Sequence, residues 1–158
     1  MQVTLTTNVL ATEELYEMFR RSMEQYVNLA RGTSWNDERE RTQFFEQIST
    51  PAIQLIRVDG EIVGFIEFRT NEDGCNLHTA IVAPQWQCKG VGSVVLDCLM
   101  AASKRITLSV LRTNPRARAL YERKGFREVS SSQHHFHLAW ASNNSFESDA
   151  LKTTRASS

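Results

Sequence analysis

The run Ile81-Val-Ala-Pro-Gln-Trp-Gln-Cys-Lys-Gly-Val-Gly-Ser93 is the stretch of the chain best suited to chemistry. A β-rich segment ends there, a loop carries Gly90 and Gly92, and a long apolar-periodic segment follows. At such a junction the first helical N–H groups lack internal partners and point outward. The helix dipole makes the same end partly positive, so an anion placed there meets several donors at once. Gly90 and Gly92 carry no side chains, which lets a phosphate reach the backbone. Lys89 adds a point charge. The loop is not a nucleotide P-loop, because G-x-x-x-x-G-K-S/T is absent. Val95 also stands where a third glycine would complete G-x-G-x-x-G. What remains is Gln87-x-x-Gly90-x-Gly92. Alone, that short pattern suits an anion cradle and an ordinary helix start with packing glycines about equally.

A second cluster, His134-His135-x-His137, invites a metal reading, since His135 and His137 fall on one face of a strand. No carboxylate or cysteine stands beside them, and zinc needs more ligands, so no metal is expected. An exposed sheet edge or the wall of a pocket suits them better. Lys plus Arg equals Asp plus Glu at 18 each, which argues against a basic nucleic-acid binder. The longest apolar stretch, Val91 to Ala102, is broken by Ser93 and Asp97 and falls short of the about 20 residues a bilayer requires. MQVTLTTNVL lacks the basic end and apolar run of a signal peptide. Cys75, Cys88 and Cys98 form no even-numbered framework. A reduced, cytoplasmic protein that engages neither membrane nor nucleic acid is the expectation.

The elements that must position these residues alternate between helical and strand periods. The 158 residues, 41% apolar and 23% charged, suit one compact domain with a core. Val3 to Thr6 reads as a short strand. Thr12 reads as an N-cap, with Glu13 and Glu14 in the first turn. Leu15, Met18, Phe19, Met23, Tyr26 and Ala30 recur at helical spacing up to Gly32. A second helix runs from Asp37 to Ile48 with Phe44, Phe45 and Ile48 on its apolar side, and Pro51 closes it. Ile53 to Val58 and Glu61 to Thr70 are strands joined by Asp59-Gly60, a turn suited to positive φ. Asn76 to Val82 is the next strand, stopped by Pro84. Val91, Val94, Val95, Cys98, Leu99 and Ala102 form one helical stripe. Ile106 to Leu111 is a strand, and Asn114 and Pro115 open a helix that Gly125 ends. Phe126 to Ser130 and His135 to Ala139 are the final strands. Residues 1–140 form the domain, and 141–158 read as a polar, disordered tail.

Strand, Q-x-x-G-x-G and long apolar helix, then a strand and N-P-R-A-R-A-L-Y-E-R-K-G-F, resembles the GNAT family of acetyl-CoA-dependent N-acetyltransferases. The first block matches the family's pyrophosphate motif at Gln87, Gly90 and Gly92. The second matches N-x-x-A-x-x-x-Y-x-x-x-G-F at Asn114, Ala117, Tyr121, Gly125 and Phe126. The hairpin V-D-G-E-I-V-G-F resembles the family's second and third strands. The likeness covers Ile53 to Val129, about half the chain, and residues 1–50 match only in their two-helix layout. It implies an α/β fold: a mixed, mostly antiparallel sheet with splayed central parallel strands and helices on both faces.

The resemblance also implies roles. Acetyl-CoA would lie between strands 76–82 and 106–111, with Ile81 and Val82 pairing to the pantetheine arm. The N–H of Val82 would face the oxyanion of the tetrahedral intermediate. Amides of Gln87, Cys88, Lys89, Gly90, Val91, Gly92 and Ser93 would hold the pyrophosphate. Asn114 would bond to the pantetheine or the adjoining strand, and Ala117 would belong to the coenzyme site. Tyr121 would donate a proton at the sulfur as the C–S bond breaks, helping a thiolate of ordinary pKa about 8.5 to leave. The base that frees the acceptor amine is His78, Glu67 or a water chain. His78 lies in L-H-T-A-I-V, which is similar to the equivalent strand of serotonin N-acetyltransferase, and a buried Glu67 would have a raised pKa. Acceptor choice would come from the first two helices, with Trp35 as one wall of the pocket and Tyr26, Phe44, Phe45, Arg31, Arg39 and Arg41 nearby. Family habit implies a homodimer. A catalytically idle acyl-CoA-binding module on the same fold is the alternative, and Tyr121 argues against it.

Overall fold

The computed structural model describes residues 1–7, 12–48 and 52–142. Its elements are β1 (Val3–Thr7), α1 (Glu13–Arg31), α2 (Asp37–Gln47), β2 (Ile53–Val58), β3 (Glu61–Asn71), β4 (Gly74–Val82), α3 (Val91–Ala101), β5 (Arg105–Leu111), α4 (Pro115–Arg123), β6 (Arg127–Ser131) and β7 (His135–Ala141). Local chemistry accounts for most boundaries. Thr12 Oγ1 accepts the Leu15 N–H at 3.4 Å, and Asn36 and Asn114 cap α2 and α4 in the same way. Asp59 and Gly60 turn the β2–β3 hairpin with φ of 49° and 89°, as a primed two-residue turn requires. Pro51 lies outside the described residues, as do residues 143–158 of the predicted tail. Ala141, assigned to that tail, is instead the last residue of β7.

The sheet order is β1-β2-β3-β4-β5-β7-β6, and among the described strands only β4 and β5 pair in parallel. Helices cover both faces. On one, α3 packs over Ile56, Ile66, Leu77 and Ile106. On the other, Leu15, Tyr16 and Phe44 of α1 and α2 cover Leu55, Phe65 and Ile81. The parallel ladder is short: Cys75↔Ile106, Asn76↔Thr107 and Leu77↔Leu108. Beyond Leu77, β4 no longer pairs with β5. The cause sits on the other side of β4. There Phe68 faces Leu77 but Glu67 faces Thr79, so His78 is the extra residue of a β-bulge. A bulge bends and overtwists its strand, and this one turns β4 away from β5.

Two expectations from periodicity need correction. The buried residues of α3 are Val91, Val95, Leu96 and Leu99, whereas Val94 is 36% exposed and Cys98 and Ala102 face solvent. The helix is apolar on more than one side, and only contact with the sheet selects the buried stripe. On α2, Phe44 is buried but Phe45 is 37% exposed, because α2 meets the sheet through Phe44, whose ring packs on Phe65.

Candidate active site

Gly90 caps α3 in the left-handed region at φ 85°, with no side-chain cap, so the first-turn N–H groups of α3 are not taken by a capping residue. They face a cavity of about 370 Å³ whose rim includes Gln87, Cys88, Gly90, Val91, Gly92 and Ser93. Gly92 also allows close helix packing, since a Cβ there would lie 3.2 Å from Leu120 Cδ2. The Gln87 side chain braces the loop: Nε2 donates to the Val82 carbonyl at 2.8 Å and Oε1 accepts from Arg116 at 3.4 Å. Cys88 has φ 61°, and its Sγ meets the Arg116 guanidinium. Lys89 does not border this cavity. Its ammonium lies over the Trp86 ring, 5.0 Å from the centroid.

The separated part of β4 forms the next wall, through Ile81 and Val82. The Val82 carbonyl already accepts from Ser22 Oγ at 3.1 Å and from Gln87. Asn114 Oδ1 is likewise engaged, accepting the Ala117 N–H at 3.2 Å as the cap of α4. Arg116 and Arg123, two turns apart on α4, both border the cavity, and no described carboxylate pairs with either. Sequence reasoning passed over these two cations, although their seven-residue spacing within N-P-R-A-R-A-L-Y-E-R places them on one helix face.

A second cavity, about 470 Å³, opens on the α1–α2 side of β4. Glu67, His78, Ser109, His134 and His135 border it, as do Phe44 and the Arg31–Glu40 ion pair. Glu67 is only 5% exposed, while His78 at the bulge is exposed. Burial, followed by the charges of His137 and His134, lowers the His135 pKa. His137 Nδ1 lies 2.7 Å from Ser109 Oγ. No three His, Cys, Asp or Glu among the described residues gather as a metal site.

Tyr121 borders both cavities, together with Ala80, Ile81, Asn114 and Ala117. Its ring packs on Phe126 at 5.6 Å, and burial pushes the phenol up to about 12. Trp35, expected on the acceptor side, borders neither cavity. Its indole N–H donates to Tyr16 Oη at 3.2 Å, and Tyr16 donates in turn to Asp37 at 2.5 Å. A partly buried indole requires an acceptor for its N–H, and this one draws Trp35 away from the pocket. The Tyr16 hydrogen bond, foremost, lowers the Asp37 pKa. Tyr26 borders the first cavity rather than the second. Arg39 pairs with Glu40, and Arg41 with Glu13 and Asp37. No described helix is long and apolar enough to cross a membrane.

Residues 12–126 match the model of the acetyltransferase (GNAT) family. No curated protein matches the sequence. Solved structures with the same fold include PH1933 from Pyrococcus horikoshii OT3, 21% identical with a TM-score of 0.69, covering 90% of this chain and 99% of that one. An acetyltransferase from Thermus thermophilus is 16% identical with a TM-score of 0.66, over 90% and 98% of the two chains. The PaiA N-acetyltransferase from Thermoplasma acidophilum, solved in complex with coenzyme A, is 15% identical with a TM-score of 0.63, over 90% and 100%.

Proposed function

The chain belongs to the acetyltransferase (GNAT) family, and on that premise we propose that it moves an acetyl group from acetyl-CoA to a primary amine by direct attack in a ternary complex. The observation that carries this reading is that Tyr121 borders both cavities, one suited to the coenzyme and one to the acceptor. The pyrophosphate sits at the amides of residues 87–93, with Arg116 and Arg123 supplying charge. The pantetheine follows the free edge of β4 to Ile81 and Val82, where Ala117 flanks it, and brings the thioester to Tyr121.

The acceptor enters the second cavity as an ammonium and loses a proton to His78, to Glu67 or to water. Its nitrogen lone pair then attacks the carbonyl carbon. The Val82 N–H stabilises the resulting oxyanion. The C–S bond breaks, and the Tyr121 hydroxyl donates to the departing sulfur. No metal takes part in this scheme. A cytoplasmic setting belongs to the same reading, since Cys75, Cys88 and Cys98 are all free thiols.

Release of coenzyme A thiol, measured against a panel of amines, tests the reading. Amine-dependent release is expected. Coenzyme binding with no release from any amine would favour the idle binding module instead. A pH–rate profile then separates the bases: His78→Ala abolishes the acidic limb if His78 accepts the proton, and Glu67→Gln does so if Glu67 does.

A further inference from the structure

All four histidines of the chain lie at one end of the sheet, near the place where β4 leaves β5. Two of them take part in a lateral row of polar side chains. Asn76 Nδ2 donates to Thr107 Oγ1 at 2.7 Å, which fixes those two residues on one face of the sheet. One pleat further along, His78 on β4 and Ser109 on β5 occupy the same face, and both border the acceptor cavity. Across β5, Ser109 is in register with His137 of β7 and bonded to it at 2.7 Å. Across β7, His137 is in register with Ser130 of β6, the fully exposed edge strand.

We propose that His78, Ser109, His137 and Ser130 form a proton exit route from the acceptor cavity to the edge of the sheet. The proposal rests on the amine-acetylation reading, because only an acceptor that arrives as an ammonium has a proton to shed. His78 is exposed to the open cavity, and an acceptor seated there would cover it. The ammonium N–H bond breaks, and the proton joins the neutral His78 imidazole. Solvent between the separated strands passes a proton to Ser109 Oγ, while the Ser109 hydroxyl proton moves to His137 Nδ1. His137 gives its Nε2 proton to solvent beside Ser130 and later regains its starting tautomer by exchange. One proton leaves per acetyl group transferred, and no charge is left in the row.

The charged and titratable groups facing this path are Glu67 from β3, the Arg31–Glu40 pair from α1 and α2, Tyr121 from α4, His134 from the β6–β7 turn and His135 from β7. Burial, followed by the charges of His137 and His134, lowers the His135 pKa, and His137 is the imidazole in hydrogen-bond contact with a hydroxyl that borders the cavity.

The test uses the full chain with Ser109→Ala and His137→Gln. In dilute buffer kcat falls about 100-fold, the low end for losing a proton-transfer group, and added imidazole restores it. The KM for acetyl-CoA stays as in the wild type. A wild-type kcat in dilute buffer, or a loss that imidazole does not repair, overturns the route. Nitrogen-15 NMR of the imidazoles supplies a readout that needs no acceptor: His137 is a single Nε2–H tautomer, and Ser109→Ala converts it to a mixture. An unchanged His137 spectrum in that variant also overturns the proposal. If the wild type releases no thiol with any amine, the acetyltransferase reading is at fault, and the NMR result alone judges the row.

Discussion

Replacing Tyr121 by phenylalanine removes one hydroxyl at the junction of the two cavities and leaves the ring against Phe126 in place. Burial pushes this phenol up to about 12, against about 8.5 for an ordinary thiol. Complete proton transfer from phenol to thiolate is therefore uphill by roughly 5 kcal/mol at 1.36 kcal/mol per pKa unit. Tyr121 accordingly keeps its proton and donates a hydrogen bond while charge builds on sulfur. Such a bond to a charged group contributes about 1.5–3 kcal/mol, so kcat should fall about 10- to 150-fold in Tyr121→Phe. Coenzyme affinity, which the proposed function assigns to the loop of residues 87–93, should not change. Thiol release gives kcat and calorimetry gives the coenzyme Kd. A kcat equal to that of the wild type removes Tyr121 from the mechanism. An alkaline limb near the thiol pKa that disappears in the variant refutes the hydrogen-bond account and restores full proton transfer.

Other outcomes follow from the same geometry. Arg116→Ala should weaken coenzyme A binding about tenfold, the effect of one lost charge-assisted phosphate contact, with a shallower salt dependence in calorimetry; unaltered affinity would place the guanidinium outside the site. Gly64→Ala puts a Cβ 2.0 Å from the Ile81 carbonyl oxygen. It should destabilise the fold by about 3 kcal/mol and weaken coenzyme binding by pushing β4, as urea denaturation and calorimetry would report; a fully stable variant contradicts this packing. The Tyr121 phenol ionises near 10 in the unfolded chain and near 12 in the folded one. Its contribution to stability is thus complete below about pH 10 and is lost as pH rises through about 12, in total about 2–3 kcal/mol. Tyr16 shifts in the same direction. Alkaline denaturation of Tyr121→Phe should show a shallower decline than the wild type; identical curves would count against a raised phenol pKa at this partly buried position.

Much of the framework is legible residue by residue, because caps and turns are decided by side chains a few positions from the backbone they serve. Thr12, Asp59-Gly60, Asn114-Pro115 and Gly125 mark element ends in the sequence and do so in the fold. The junction of strand, glycines and helix start is equally local, since the three are contiguous. Asn114 shows the limit of that legibility. Its cap role is visible from the next residue, whereas its place on the border of both cavities is not.

What sequence alone settled is therefore chain-local: the order of elements, their caps and the glycine-bearing loop that opens α3. The assembled sheet settled where those residues meet. The bulge at His78 exists only relative to β3, and the parting of β4 from β5 follows from it. Trp35 turns to Tyr16 because a hydroxyl from another part of the chain lies within reach. Arg116 meets the loop, and Tyr121 stands between two cavities, because α4 packs beside α3 and the open end of β4. Backbone conformation depends on neighbours in sequence, whereas burial, register and convergence depend on surfaces that exist once distant segments have packed.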